Sequence, residues 1–177
     1  VSVCGKLRGE DLGKRGGELG LGDINMDALN QLADALAGQG VKVAALRCDV
    51  ASEADWKAME DTALSQIGHL DLAVNNAGIA HGISPFAELT EEVLDQQINV
   101  NVKGVMFGMK HQINAMKAGG GSIVNVSSMA GIGWRAKDWC LLGGQACGDR
   151  PHTHRSGGIR QAQYSGQCDL PVLHPYT

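Results

Sequence analysis

The sequence predicts an α/β fold in which a parallel sheet carries helices on both faces. Apolar runs of strand length alternate with segments of helical period as far as Trp134, and this order is that of repeated strand–helix–strand units. A chain of 177 residues with 44% apolar content can bury one core but is short for two ordinary domains. We therefore expect a single domain.

The first predicted elements are two strands with a helix between them. Residues 18–24 form a short strand that ends in Gly22-Asp23. Apolar residues then recur at helical spacing over 26–36, and Gly38 and Gly40 end this helix. Residues 41–50 are predicted to form a buried strand.

Two capped helices and two strands follow. Ser52 and Thr90 are suitable N-cap residues because their hydroxyl oxygens can accept a hydrogen bond from a backbone N–H of the first turn. The predicted elements are a helix from 52 to about 67, a strand over 70–74, a long helix over 90–116 and a strand over 121–126.

The tail beyond Trp134 departs from this pattern. From Gly143 onward no regular period persists, and the composition shifts to Gly, His, Arg, Gln and Pro. Such a segment buries too little apolar surface to offset its ordering entropy. We predict an organised region over 1–133 and an irregular tail over 134–177.

Composition and charge exclude several classes of protein. The net charge is −4 and no sustained basic run is present, so a nucleic-acid surface is not expected. No apolar stretch is long enough to span a membrane, and no signal-peptide order is present, so we expect no membrane partner and a cytoplasmic location. Five cysteines without regular spacing do not indicate a disulfide framework.

Asp23 is the first candidate site residue. Open parallel sheets bind ligands at the carboxyl ends of their strands, and Asp23 ends a strand about twenty residues after Gly5. A carboxylate there can accept hydrogen bonds from an adenosine ribose and would repel a 2′-phosphate, which favours NAD over NADP. Equally, Asp23 or Asn25 could simply cap the following helix.

Other polar features also follow predicted strands. Asp49-Val50 ends one strand, and Asn75-Asn76-Ala77-Gly78 ends the next, where small residues would allow a planar cofactor to approach closely. Ser128 follows the strand over 121–126, and its hydroxyl could bind a carbonyl or alcohol oxygen or could cap the next element. Asn101 is a poor helix former within the long helix, so it indicates a kink or a buried water site.

Taken in order, these motifs resemble the short-chain dehydrogenase/reductase family over about residues 5–133. The resemblance implies a Rossmann-like, doubly wound parallel sheet and hydride transfer between NAD and a secondary alcohol or ketone. It implies that Ser128 polarises the substrate oxygen, that Asn101 holds a water of the proton relay, and that the long helix from Thr90 packs between subunits of a homo-oligomer. The implied cofactor contacts are Gly5, Asp23, Asp49, Val50, Asn76, Ala77, Gly78 and Val126.

The chain departs from this family at both ends. It starts inside the family's T-G-x-x-x-G-x-G loop, with Val3 in place of the middle glycine, so we expect an incomplete sheet that lacks the family's first strand. The family's catalytic tyrosine should lie thirteen residues after Ser128, and its lysine four residues later, but the sequence has Leu141 and Gln145 there.

A change of reading frame would account for the second departure. Codons shifted by one base permit tyrosine at 141 and lysine at 145, and they restore a helical period farther on. We therefore hypothesise that residues 134–177 are a frameshifted reading of a dehydrogenase gene. Taken literally, the chain would instead be an inactive, dehydrogenase-like nucleotide-binding module.

A metal-binding tail is the remaining alternative. The potential zinc ligands lack the short C-x-x-C spacing of convincing zinc sites, so we expect no metal. These residues are Cys140, Cys147, His152, His154 and Cys168.

Overall fold

The computed structural model describes residues 3–81, 85–127 and 159–165. The helices are α1 (Val3–Lys14), α2 (Met26–Ala37), α3 (Glu53–Ile67), α4 (Glu91–Gln97) and α5 (Gly104–Met116), with a 3-10 turn at Phe86–Glu88 and a π-helical segment at Ile98–Lys103 between α4 and α5. The strands are β1 (Leu19–Asp23), β2 (Val43–Arg47), β3 (Leu72–Asn75), β4 (Gly121–Ser127) and β5 (Ile159–Ser165).

Within these residues the strands form two parallel sheets. One sheet pairs β1 with β2, and the other has the order β3-β4-β5. Parallel strands joined through helices are the predicted architecture, so the expectation of an incomplete, doubly wound parallel fold is confirmed. None of the helices in the described ranges is long and apolar enough to cross a membrane.

Alternation along β1 explains why helices cover both faces of its sheet. Leu19 packs with Leu32 and Leu36 in one core cluster. Gly20 and Gly22 point the other way, where a Cβ atom on Gly20 would lie 3.3 Å from Met59 of α3. The large residues therefore face α2, and the glycines leave room for α3.

The second core joins the β3–β4 sheet to α5. It consists of Ala73, Met116 and Ile123, with Met109 and Ile113 packed against it. Helix α3 contacts both α5 and the β1–β2 sheet, so it links the two halves. A hydrogen bond of 2.6 Å between His111 Nδ1 and Glu60 Oε2 crosses the α3–α5 contact.

The predicted helix starts are confirmed. Ser52 caps α3 by accepting a hydrogen bond from the backbone N–H of Asp55, and Thr90 caps α4 in the same way with Val93. The helix predicted over 90–116 is present, but it consists of α4, the π segment and α5 in succession.

The prediction of a buried strand over 41–50 is wrong in its extent. β2 covers only Val43–Arg47, and Ala44 is its buried residue. The strand starts late because the N–H of Val41 is bonded to Leu36 O at the end of α2. It ends early because Asp49 O accepts a hydrogen bond from Ser52 N in a turn.

The prediction that the whole tail is irregular is also wrong. Ile159–Ser165 forms a strand parallel to β4, paired from Gly121 with Ile159 to Ser127 with Ser165. Without β5, the second edge of β4 would leave backbone N–H and C=O groups unpaired, and pairing with the main chain of β5 satisfies them without requiring a period in its side chains. Residues 128–158 and 166–177, which contain the remainder of the predicted tail, lie outside the described ranges.

Helix α1 was not predicted from the sequence. It contains Gly9 and Gly13, which weaken helix propensity, so its local signal is poor. The tertiary contacts account for these glycines, because a Cβ atom on Gly13 would lie 3.0 Å from Val41 Cγ2 and 3.3 Å from Leu36 Cδ2. Close packing on α2 therefore overrides the weak propensity.

Candidate functional site

The candidate residues lie at the carboxyl ends of parallel strands. In the first sheet Asp23 pairs in register with Arg47, which directly precedes the Cys48–Val50 segment. In the second sheet Asn75 pairs with Asn125, so the Asn76–Gly78 loop leaves β3 next to Val126 of β4. In each sheet, these candidate residues therefore lie together at the carboxyl end of the strands, which is where open α/β sheets bind ligands.

Asp23 fixes the turn between β1 and α2. Its Oδ1 accepts a hydrogen bond of 2.9 Å from the backbone N–H of Asn25, and Asn25 Oδ1 accepts one of 3.1 Å from Ala28 N. The capping role is therefore filled by Asn25. Asp23 remains at the strand end, with a half-buried side chain.

The Asp49-Val50 loop is held by the first turn of α3. Asp55 Oδ2 accepts the N–H of Asp49 at 2.9 Å, and Asp55 Oδ1 accepts the hydroxyl of Ser52 at 2.9 Å. The indole Nε1 of Trp56 donates to Val50 O at 3.1 Å. Asp49 itself accepts the N–H of Ala51 at 3.0 Å.

Hydrogen bonds favour the ionised form of the Asp55 carboxylate. The hydrogen bond from the Asp49 N–H, followed by that from Ser52, lowers the pKa of Asp55, and Arg47 lies 3.1 Å away as an ion-pair partner. Neither Asp55 nor Trp56 was singled out from the sequence. The Ser52-x-x-Asp55 spacing, which is typical of a helix start with reciprocal hydrogen bonds, was the available signal.

The Asn75–Gly78 loop starts from a buried amide cluster. Asn75 is 6% exposed; its Nδ2 donates to Gln112 Oε1 at 3.0 Å and to Asn125 Oδ1 at 2.8 Å. Gln112 Nε2 donates back to Asn75 Oδ1 at 2.6 Å. These bonds join β3, β4 and α5 directly below the loop, a role that the sequence did not reveal for Gln112 or Asn125.

Asn101 holds the other end of the same loop. Its Nδ2 donates to Ile79 O and its Oδ1 accepts from Ile79 N, both at 2.9 Å, while Nδ2 also donates to Gln97 Oε1 at 2.8 Å. Gly78 is close enough that a Cβ atom there would lie 3.4 Å from Asn101 Oδ1. Asn101 lies in the π segment, so the predicted irregularity in the helix is confirmed.

Cys48 lies between β2 and Asp49, in surroundings that disfavour a reactive thiolate. Its side chain is buried, and burial, with smaller contributions from Asp55 and Asp49, raises the pKa of the thiol to about 11. The thiolate that a nucleophile or metal ligand requires is therefore strongly disfavoured.

The structure locates two of the remaining candidate residues. Gly5 lies in the first turns of α1, and Val126 lies in β4 opposite Tyr164 of β5. Ser128 and the cysteines and histidines of the tail lie outside the described residues. Among the described residues, no group of three or more His, Cys, Asp or Glu side chains could hold a metal ion.

Comparison with known proteins gives a consistent result. The family model for short chain dehydrogenase matches residues 4–137. Cyclohexanol dehydrogenase of Acinetobacter sp. is 36% identical over 132 residues, which are 74% of this chain and 53% of that protein. Cis-4-hydroxycyclohexanecarboxylate dehydrogenase of Sinomonas cyclohexanicum is 32% identical over 180 residues, covering 98% of this chain and 72% of that protein.

A solved structure matches the fold. The short chain dehydrogenase/reductase of Burkholderia phymatum in complex with NAD superposes with a TM-score of 0.85 and 26% identity, over 92% of this chain and 62% of that one. The chain spans about half the length of several of the curated relatives it matches.

Proposed function

The chain belongs to the short-chain dehydrogenase family of oxidoreductases, and on this basis we propose that it binds NAD and that the intact enzyme interconverts a secondary alcohol and a ketone. The observation that carries the proposal is the Asn75–Gly78 loop, which is fixed at one end by Gln112 and at the other by Asn101. A loop fixed in this way, with small residues at its tip, suits the close approach of a planar cofactor.

NAD is the proposed cofactor. The chain's residues fit the adenosine half of this molecule, because Asp23 ends β1 and the ordered Asp49-Val50 and Asn76–Gly78 loops follow β2 and β3. We assign Gly5 and Val126 to the same binding surface. The nicotinamide ring supplies the hydride chemistry, while the chain binds and orients the reactants.

Discrimination between NAD and NADP tests the assignment of Asp23. A carboxylate disfavours a 2′-phosphate, so the chain should bind NAD more tightly than NADP in a titration calorimeter. Asp23→Ser should reduce the preference. Equal binding of the two nucleotides by the unaltered chain would contradict the assignment.

For catalysis we assign Ser128 to the substrate oxygen and Asn101 to a water of the proton relay. Both Nδ2 hydrogens of Asn101 are already donated, to Ile79 and Gln97. The water would therefore have to donate to an oxygen of Asn101, which still has acceptor capacity. In a protein that carries the family's tyrosine and lysine, Asn101→Ala should lower the rate of turnover and alter its pH profile.

The proposed substrate is a secondary alcohol on a six-membered carbocycle. Two relatives carry cyclohexanol and hydroxycyclohexanecarboxylate in their names, which is the support for this class. Oxidation of cyclohexanol by a protein with tyrosine and lysine restored at 141 and 145, followed as NADH formation, tests the proposal. An open-chain alcohol such as 2-hexanol provides the comparison.

Turnover depends on the tyrosine and lysine that the chain lacks at 141 and 145. We propose that residues 134–177 are read in a shifted frame, and the family match that ends at residue 137 supports a break near Trp134. The match to the Sinomonas relative, which extends over 98% of the chain, competes with this proposal.

Two proteins separate the alternatives. The chain as written should bind NAD without reducing cyclohexanone, whereas the frame-restored protein should reduce it, because loss of a general acid alone costs roughly 10² to 10⁴ in rate. Turnover by the chain as written, or an unshifted gene sequence across the Trp134 codon, would overturn the frameshift.

We also propose that the protein forms a homo-oligomer through the α4–α5 region. Leu94, Ile98 and Met106 expose 39%, 37% and 63% of their surface on this helical stretch, which gives a second copy of the chain an apolar face to cover. Light scattering after size exclusion should show a multiple of the 18.6 kDa chain mass. Met106→Lys should shift the protein toward the monomer.

A further inference from the structure

One side chain connects the two proposed adenosine loops. Trp56, half-buried on α3, donates its indole N–H to the carbonyl of Val50 at 3.1 Å. Its ring also lies against Gly108 of α5, where a Cβ atom would be 2.8 Å from Trp56 Cζ2. The same Cβ atom would be 2.8 Å from Asn75 Oδ1. Trp56 and Asn75 therefore meet at Gly108.

Two glycines on α5 allow this convergence. A Cβ atom on Gly104, one turn before Gly108, would lie 2.9 Å from Val50 Cγ2. Real Cβ atoms do not come this close, so any side chain at either position would displace a neighbour. Helix α5 therefore packs closely against Val50, Trp56 and Asn75 at two positions that carry no side chain.

The hydrogen bonds around Val50 indicate which backbone groups Trp56 helps to orient. Asp49 N–H is held by Asp55, and Asp49 O accepts the N–H of Ser52 at 2.9 Å. In a trans peptide the Val50 N–H must point opposite to Asp49 O. The indole holds the next carbonyl, that of Val50, and Asp49 Oδ1 holds the N–H of Ala51 in the same peptide, so both peptide planes that flank Val50 are set.

We propose that Trp56 is a positioning residue for nucleotide binding, which orients the Val50 backbone and couples it to the start of the Asn75–Gly78 loop. This inference rests on the proposed NAD site and adds a residue that touches the loops rather than the cofactor. It assigns the effect to the indole N–H, since the ring alone could fill the space beside Gly108.

Trp56→Phe isolates that N–H because it keeps an aromatic ring. The variant should bind AMP, the probe for the adenosine half, about fivefold more weakly in calorimetry, the effect of one lost hydrogen bond. Gly108→Ala should weaken AMP at least as much by pushing the indole and Asn75 apart. Lys57→Ala, which removes only an exposed ion pair with Asp61, is the control and should leave AMP affinity unchanged.

A second readout needs no nucleotide. Amide hydrogen exchange at residues 49–52 should accelerate in Trp56→Phe by a similar factor, while exchange within α2 stays unchanged. A general loss of stability would instead accelerate both regions together, which would overturn the positioning role. AMP affinity within twofold of the unaltered chain, with unchanged exchange at 49–52, would also overturn it.

Failure of the proposed function gives a different pattern. If the unaltered chain binds neither AMP nor NAD, the NAD site is wrong, yet the exchange experiment still decides whether Trp56 orders the Val50 backbone. Faster local exchange in Trp56→Phe than in Lys57→Ala supports the role, and equal exchange in the two variants rejects it.

Discussion

Asn101 and Ile79 are joined by two hydrogen bonds of opposite direction, each 2.9 Å long. The side-chain amide of Asn101 bonds to Ile79 as the backbone of a paired β-strand would, because it offers one donor and one acceptor to the backbone of a single residue. Helix and loop are thereby held in one relative position, directly after Gly78.

Asn101→Ala should destabilise the fold substantially. The change removes three hydrogen bonds and leaves the Oε1 of Gln97, a residue 2% exposed, without the donor that Asn101 supplies, so we expect a loss of about 3 kcal/mol in the free energy of unfolding. Urea unfolding measures it. Asn99→Ala in the same π segment loses only a bond to the exposed Lys103 and should cost less than about 0.5 kcal/mol. Equal losses in the two variants would show that the pairing with Ile79 adds no stability.

Gln112 and Asn75 should be energetically coupled. Each amide donates to the other in a buried site, so Gln112→Ala removes the donor to Asn75 Oδ1 and one acceptor of Asn75 Nδ2, and should cost about 2 kcal/mol. A double-mutant cycle with Asn75→Ala should give a coupling of about 1 kcal/mol or more. Asn114→Ala, exposed on the same helix, is the control. Strictly additive effects would argue against the paired amides.

Cys48 should react slowly and should make stability depend on alkaline pH. Its pKa is raised from 9.0 to about 11, so at pH 8 alkylation by iodoacetamide should be roughly 100-fold slower than in the urea-unfolded chain. Because the folded pKa is the higher one, the stabilising contribution is complete below pH 9 and is lost as the pH rises toward 11. Peptide mapping measures the alkylation. Cys48→Ala should remove this part of the pH dependence; a Cys48 alkylated as fast in the folded as in the unfolded chain would contradict the burial.

The contribution of Asp55 to stability should depend on pH in the opposite sense to that of Cys48. Hydrogen bonds from Asp49 N–H and Ser52 lower its pKa from 3.8, so its stabilisation is present above that value and disappears as the pH falls through the lower, folded value. Asp55→Asn should melt at a lower temperature at pH 7 and lose less on acidification than the unaltered chain. Asp61→Asn, which removes an exposed partner of Lys57, provides the matched control in the same thermal scans. An unchanged acid response in Asp55→Asn would contradict the assignment.

The fold was predictable where local signals and burial agree. Ser52 and Thr90 cap their helices as their positions indicated, because N-capping depends on a few neighbouring residues. Helix α1 and strand β5 were not predictable, since glycines weaken the first and the second depends on main-chain pairing with β4. Such tertiary contacts leave no periodic pattern in the sequence.

The positions of Asp23 and Asn75 at strand ends were predictable from the sequence, whereas the contacts that hold the neighbouring loops were less so. Asn101 was singled out because asparagine is unusual within a helix, and the π segment bears this out. Trp56 and Gln112 resemble ordinary helix residues in the sequence. Their contacts with Val50 and Asn75 arise only when α3 and α5 pack together.

The π segment divides the long helix into two parts of different angular phase. A π turn holds one more residue than an α turn, so α4 and α5 do not follow one helical wheel. If Ile98–Lys103 took α geometry without losing a residue, the part of the helix before it would turn by about 100° relative to α5, which would carry Asn101 away from Ile79 or Gly108 away from Trp56. The extra residue thus allows one helix to meet both loops at once.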